Sequence, residues 1–256
     1  MKKTLTAVLL AALAAGSFAV PAKADAFGDF NTNIGNTKIK AEALLAPFAE
    51  DLGGLIGGND FNSGRAIGFP GFDVGLAATI QAKPNPDNAI LNNADVGAFG
   101  VPVLKASIAL PGIDADITLR GLTLGGFSVI GGGVSYNLMK SGTVTKFIPD
   151  LSVSAFYDVI DYDYFKGTHM SLNAVASFDI PVIKPFIGVG LDRTSLKVQD
   201  VSGAIGTLVN GAEASASQPR YTLGVRFSPL PLVYVYGAYS SLHGQSGYNA
   251  GLGVKF

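Results

Sequence analysis

From Gly71 to Phe256 the hydrophobic pattern of this chain has a period of two. Phe72, Val74, Leu76, Ala78 and Ile80 alternate with Asp73, Gly75, Ala77, Thr79 and Gln81. Successive side chains of a strand point to opposite faces, so such a segment has one apolar face and one small or polar face. The pattern recurs over residues 104–110, 113–120, 151–158, 170–180, 187–192, 220–227 and 248–256. Residues 127–138 read as a glycine-rich strand whose faces the pattern leaves unassigned, and residues 231–241 as an aromatic-rich one. Most of these ten segments run about 8 to 12 residues, close to what a tilted strand needs to cross a bilayer. The predicted fold is all-β: an antiparallel transmembrane β-barrel of about ten strands over residues 67–256, with a short amphipathic helix before it.

A soluble sandwich also alternates, with its apolar faces inward. Charge separates the two. Only 14% of the residues are charged, against about 25% in a typical soluble domain. The connections agree with a barrel, which joins its strands by long outer loops and short periplasmic turns. Residues 111–112, 179–184 and 229–231 are short; 82–98 and 199–218 are long and fall at the opposite end. The link near Gly125 is shorter than this rule expects, and the turn over 139–148 is longer. The 48% apolar content excludes a disordered chain, and the absence of Cys excludes a disulfide scaffold or a zinc ribbon. A net charge of −1 excludes a strongly basic nucleic-acid binder.

Residues 1–24 read as a signal peptide: Lys2 and Lys3, an uncharged run over 5–20, then Ala22-Lys23-Ala24 as the cleavage signal. The mature chain then begins at Asp25, and the chain is exported. Residues 25–66 form a head. There Leu44, Phe48, Leu52 and Leu55 share one helical face, Pro47 kinks the helix or starts its second half, and Gly53-Gly54 and Gly57-Gly58 end it. A lone amphipathic helix must lie on a membrane or dock into the barrel.

The last strand ends at Phe256, with Tyr248, Leu252 and Val254 on the same face. It resembles the closing strand of bacterial outer-membrane β-barrels, which the barrel-assembly machinery reads in that family. The resemblance covers residues 72–256 and implies a bacterial outer-membrane location, with outer-membrane lipid and that machinery as partners. The stretch over 44–72 and Pro149-Asp150-Leu151 is similar to a poorly characterised family of small barrels with a helical head, which implies no activity. Trp is absent, so Tyr157, Tyr162, Tyr164, Phe165, Tyr236, Tyr239 and Tyr248 are expected to form the interfacial girdles.

On the inner faces the alternation puts Asp73, Asp114, Asp116, Asp179, Arg226 and Lys255 near the periplasmic ends, with Lys105, Arg120 and Asp192 further along. They read either as a polar pathway or latch for the head, or as a salt-bridge network filling a narrow interior. Outer-membrane transporters for hydrophobic compounds carry a helical hatch of similar character, which makes the head a candidate plug. Those barrels have more strands, a ten-stranded one has little room for a whole helix, and a head lying under the barrel in the periplasm is equally allowed.

His169-Met170-Ser171 has the H-x-S spacing of outer-membrane phospholipases, and its two polar side chains share a face. Those enzymes carry Asn directly after the Ser, where this chain has Leu172, and their pair faces lipid, whereas His169 and Ser171 should face inward. His243 is expected in solvent. Gly131-Gly132-Gly133 lacks the Lys-Ser/Thr of a phosphate loop, and Asp161 with Asp163 lacks a third carboxylate for calcium, so no cofactor or metal is expected. The leading reading is a porin-like gated pore or transporter for a small, hydrophobic molecule, with the head as plug. A closed structural or adhesive barrel whose outer loops bind a partner is the alternative, and a lipid hydrolase is third.

Overall fold

The computed structural model describes residues 30–142 and 148–256; the export signal and the cleavage point at Asp25 lie outside them. Two head helices, α1 (Phe30–Asn33) and α2 (Lys38–Gly57), precede the strands β1 (Phe72–Gln81), β2 (Phe99–Ala109), β3 (Ala115–Leu124), β4 (Phe127–Met139) and β5 (Asp150–Tyr162). Then come β6 (Phe165–Ser177), β7 (Ile183–Val198), β8 (Glu213–Leu230), β9 (Val233–Leu242) and β10 (Gln245–Lys255). Helix α3 (Ala89–Asn93) lies in the β1–β2 loop and α4 (Gly203–Val209) in the β7–β8 loop.

Each strand pairs antiparallel with its sequence neighbour. β1 pairs with β10 from Asp73↔Lys255 to Gln81↔Gly247, which closes the ring. A closed ring leaves no backbone edge unpaired, the condition for a sheet to sit in hydrocarbon. The two faces follow the alternation. Leu104, Leu119, Leu172, Leu191 and Leu223 point outward and are 59–68% exposed, while Thr79, Asp158, His169, Arg220 and Ser240 point inward and are fully buried. This is the reverse of a water-soluble sandwich.

One end of the barrel carries the loops 82–98 and 199–212 and the other the turns 110–114, 178–182 and 231–232. The links at Gly125-Gly126 and His243-Gly244 also lie at the long-loop end. All four residues have positive φ, between 52° and 89°. That is the mirror-image hairpin turn whose twist suits two tightly joined strands, which explains the short link near Gly125. The long β7–β8 loop is shorter than the sequence suggests, because β8 already starts at Glu213. Glu213, Ser215 and Ser217 alternate with Ala214 and Ala216 and pair with Lys197, Ser195 and Arg193. Small and polar residues in alternation look like loop until a neighbouring strand is known.

Helix α2 begins at the Thr37 cap, whose hydroxyl accepts the Lys40 N–H at 3.3 Å, and runs through Pro47 for 20 residues. It does not end at Gly53-Gly54. Those glycines face the barrel wall: a Cβ on Gly53 would lie 2.2 Å from Thr194 Oγ1, and one on Gly57 2.7 Å from the Asp192 carboxylate. At Gly53 glycine permits close approach instead of stopping the helix; the second pair, Gly57-Gly58, does end it, with Gly58 as the cap. No described helix is long and apolar enough to cross a membrane; strands are the elements of spanning length.

Candidate functional site

The head occupies the lumen along its whole height. At the long-loop end the Phe30 ring stacks on Tyr164 of the β5–β6 hairpin, with centroids 6.4 Å apart. Asn33 donates to the Ile90 carbonyl of α3 at 3.3 Å. Nearly two turns before the end of α2, the Asp51 carboxylate accepts from Gln81 at 2.6 Å, from Asn88 at 2.7 Å and from the Asn85 N–H at 2.9 Å. Below Gly57 the chain continues without regular structure towards the opposite mouth. Gly64 N–H donates to Ser177 Oγ at 2.9 Å, and Ile67 N–H to Asp116 at 3.0 Å. β1 then turns back up from Phe72.

The half of the lumen towards the long loops, here termed the outer half, is an apolar core. Leu45, Phe48, Ala49, Leu52 and Leu55 of α2 pack with Phe127, Ile160, Phe165, Leu196 and Leu242 from the wall. The Phe48 ring lies 5.5 Å from Phe30 and 5.2 Å from Phe165. Full burial of each such side chain stabilises the docked helix by about 1.5–3 kcal/mol. Of the four helix positions read from sequence, Phe48, Leu52 and Leu55 are buried; Leu44 is half-buried and the neighbouring Leu45 takes the inner place.

The middle of the lumen is ionic, and its hub belongs to the head. Asp60 Oδ1 accepts from Arg120 Nη1 at 2.5 Å. Its Oδ2 accepts from Ser171 at 2.6 Å, and from Asn173 and Arg220 at 2.9 Å each. Arg120 also grips Asp158 through Nε at 2.8 Å and Nη2 at 2.6 Å. Arg220 Nε donates to Asp192 at 2.9 Å. His243 bridges Asp192, at 3.0 Å, and the Glu50 carbonyl of α2, at 2.8 Å. The side chains of Asp60, Arg120, Asp158, Arg220 and Asp192 are all fully buried. Each carboxylate faces a guanidinium, which is how buried charge is tolerated.

Below the hub the packing loosens. Lys105 Nζ donates to the carbonyls of Asn59 and Asp60 at 2.8 and 2.9 Å. Arg226 lies 3.5 Å over the Tyr234 ring and donates to Asn62 at 3.0 Å, while Tyr234 donates to Asp73 at 2.7 Å. Lys255 reaches the Ala66 carbonyl at 3.3 Å. Between these groups lies a polar cavity of about 90 Å³. A second cavity of about 790 Å³, lined in part by Arg65, Lys184 and Pro70, forms the short-turn mouth.

Asp73, Asp116, Arg120, Asp192, Arg226 and Lys255 thus lie in the lumen. Asp114 and Asp179 do not. Asp114 sits in the β2–β3 turn, more than half exposed and paired with Lys140. Asp179 sits in the β6–β7 turn, held by Arg65 and Lys184. Both follow the alternation past the point where the pleat stops. Burial raises the Asp179 pKa, but the Lys184 hydrogen bond and charge, with Arg65 behind them, hold the carboxyl below its usual range. Tyr157, Tyr239 and Tyr248 are about half exposed on the outer wall, whereas Tyr162, Phe165 and Tyr236 are buried, Phe165 against the head. His243 is not solvated, since the tight hairpin turns it onto α2. On β10, Tyr248 is exposed, Leu252 and Val254 are half-buried, and Phe256 stacks on Phe72 at 4.7 Å.

Sequence reasoning missed Asp60, Asp158 and Arg220 as site residues. Asp158 and Arg220 do stand at polar positions of alternating strands, which was a usable signal. Asp60 stands in an aperiodic segment and gives none. His169 and Ser171 are both sealed in the lumen: His169 Nδ1 shares a hydrogen bond with Thr194 Oγ1 at 2.9 Å, and Ser171 gives its proton to Asp60. Among the described residues no group of three His, Cys, Asp or Glu is placed to hold a metal ion.

No protein-family model matches this chain, and no curated protein does. Solved structures do. The N-terminal β-barrel domain of OprF from Pseudomonas aeruginosa is 11% identical, with a TM-score of 0.35, over 73% of this chain and 97% of that one. The translocator domain of the autotransporter NalP from Neisseria meningitidis is 12% identical, with a TM-score of 0.35, over 82% and 96%. Ail, the attachment invasion locus protein of Yersinia pestis, is 12% identical in its complex with a heparin analogue, with a TM-score of 0.31, over 73% and 97%.

Proposed function

We propose that this protein is an integral barrel of the bacterial outer membrane, sealed by its own N-terminal head and working through its outer face. The observation that carries this reading is the apolar outer half of the lumen. There α2 shares one core with wall residues of β2, β4, β5, β6, β7 and β9. A helix so placed cannot leave without exposing that core to water. The outward apolar wall and the closed ring support membrane residence. The exposed apolar wall meets outer-membrane lipid, and the Tyr248, Leu252, Val254 and Phe256 strand is what the assembly machinery would read.

Ion conductance of the refolded mature chain in planar bilayers tests the reading. A sealed barrel passes no steady current, while heat-modifiable migration reports that it is folded. A steady current through the unmodified protein overturns it.

The second reading is a gated pore that admits a small molecule. The polar, loosely filled short-turn half favours it, because that half already holds cavities facing the mouth. Current steps in an Asp60→Ala variant, absent from the parent, would support a gate. A lipid hydrolase fits least: His169 and Ser171 are sealed from lipid, and Ser171 is engaged by Asp60. Lipid hydrolysis unchanged in Ser171→Ala would remove that reading.

A further inference from the structure

We infer that the barrel carries its own N-terminal head through the membrane, so that α1 and the start of α2 stand at the cell surface. The inference rests on reading the long-loop end as the outer end, the usual polarity of such barrels.

The path of the chain carries the argument. β1 begins at the short-turn end, beside Phe256. Going backwards in sequence, the contacts climb. Ile67 meets Asp116 at the foot of β3. Gly64 meets Ser177 at the foot of β6. Asp60 meets Arg120, Ser171 and Arg220 in mid-strand. Gly58 meets Asn249 and Asn59 meets Val101, both nearer the other end. Glu50 meets Gln218 and Asn85, and Asn33 meets Ile90 in the long β1–β2 loop. From Ile67 to Glu50 every step lies further from the short turns than the one before. From Ile67 up to the start of α2 nothing in the path folds back; only beyond Lys38 does the chain turn, and α1 lies back along α2 at the long-loop end, with Phe30 5.5 Å from Phe48.

The lengths agree. The fourteen residues from Gly58 to Gly71 reach at most about 50 Å when extended, and α2 adds about 30 Å. The bilayer core to be crossed is about 30 Å. What emerges is solvated: residues 36–40, Asn36-Thr37-Lys38-Ile39-Lys40, are all exposed, and Ile39 is 80% exposed. A head resting in the periplasm would place these residues beside Leu232 and Ser228. They lie instead at the end that carries α3 and α4.

The chain contains no Cys, so a single introduced thiol reports its own side of the membrane. Three full-length variants suffice, each checked for heat-modifiable folding: Ile39→Cys in the head, Leu208→Cys in α4 of the long β7–β8 loop, and Leu232→Cys in the β8–β9 turn. All three positions are exposed. The probe is a maleimide on a polyethylene glycol chain too large to pass porins, applied to intact and to permeabilised cells. We expect the Ile39 and Leu208 variants to label equally in both, and the Leu232 variant to label only after permeabilisation. Labelling of Leu208→Cys on intact cells with Ile39→Cys hidden overturns the inference and leaves the barrel's orientation standing. Labelling of Leu232→Cys alone on intact cells overturns the orientation and the inference with it.

Discussion

The two halves of the lumen are closed by different physics. Towards the long loops the head is held by apolar burial, with Phe48, Leu52 and Leu55 packed against Phe165, Leu196 and Leu242. Towards the short turns it is held by hydrogen bonds and charge: Asp60 on two arginines, Lys105 on two carbonyls, Arg65 on Asp179. Burial is non-directional and large in sum. A buried ion pair contributes little net stability, yet breaking it is costly, because the remaining charge is stranded. The outer half therefore sets how firmly the head is held, and the ionic hub sets where it stops.

Four measurements, ordered by expected effect, sharpen or break this contrast. Phe48→Ala empties the centre of the outer core and is expected to cost about 4 kcal/mol, read as a lower midpoint of urea unfolding in detergent micelles. A loss no larger than that of a surface substitution would remove the distinction between the halves. Asp60→Asn leaves Arg120 and Arg220 one anion short and is expected to cost about 3 kcal/mol by the same assay. If the variant is as stable as the parent, Asp158 and Asp192 alone suffice for the arginines and Asp60 is no hub. Gly64→Ala puts a methyl 2.7 Å from the Asp150 carbonyl oxygen, and overpacking of this kind costs about 2 kcal/mol. Protease sensitivity of the segment around Arg65 should rise in that variant while α2 stays protected.

The smallest effect concerns acid. The Asp179 pKa is depressed in the folded state. Its contribution is complete above the ordinary carboxylate pKa of about 3.9 and is lost as pH falls through the lower folded value. The turn is partly exposed, so solvent screens the interaction and the gain stays below about 1 kcal/mol. Thermal midpoints of the parent and of Asp179→Asn, titrated downward from pH 5, should converge. A gap that persists at the acid end would mean the side chain acts through packing and not charge.

The barrel was legible because a strand writes its two faces into alternate residues. Arg120 and Asp192 stand at inner positions by that rule alone. The rule fails where strands stop: Asp114 and Asp179 continue the alternation into turns, where Asp114 is mostly exposed and Asp179 pairs with Arg65 and Lys184. It also fails for glycine, which carries two meanings. At Gly53 the missing side chain makes room for Thr194, although the local sequence reads as a helix stop; at Gly57 it makes room for Asp192 and the helix does stop. Asp60 was illegible for a deeper reason. Its partners lie 60 to 160 residues away on three strands, and its own segment has no period from which a face could be read. Phe165 and Tyr236 look like girdle aromatics until the strand phase is known, which turns them inward.

The β1–β10 seam, described above as the closure of the ring, also favours one order of assembly over another. Segment 58–67 bonds to strands all around the ring, β2, β3, β6, β8 and β10 among them. A cylinder that completes itself first would have to admit this thread endwise, past the packed outer mouth. The economical route lays the thread along the growing, still open sheet and zips the last edge around it. On that route the head acts as a mandrel, the form on which the cylinder is rolled.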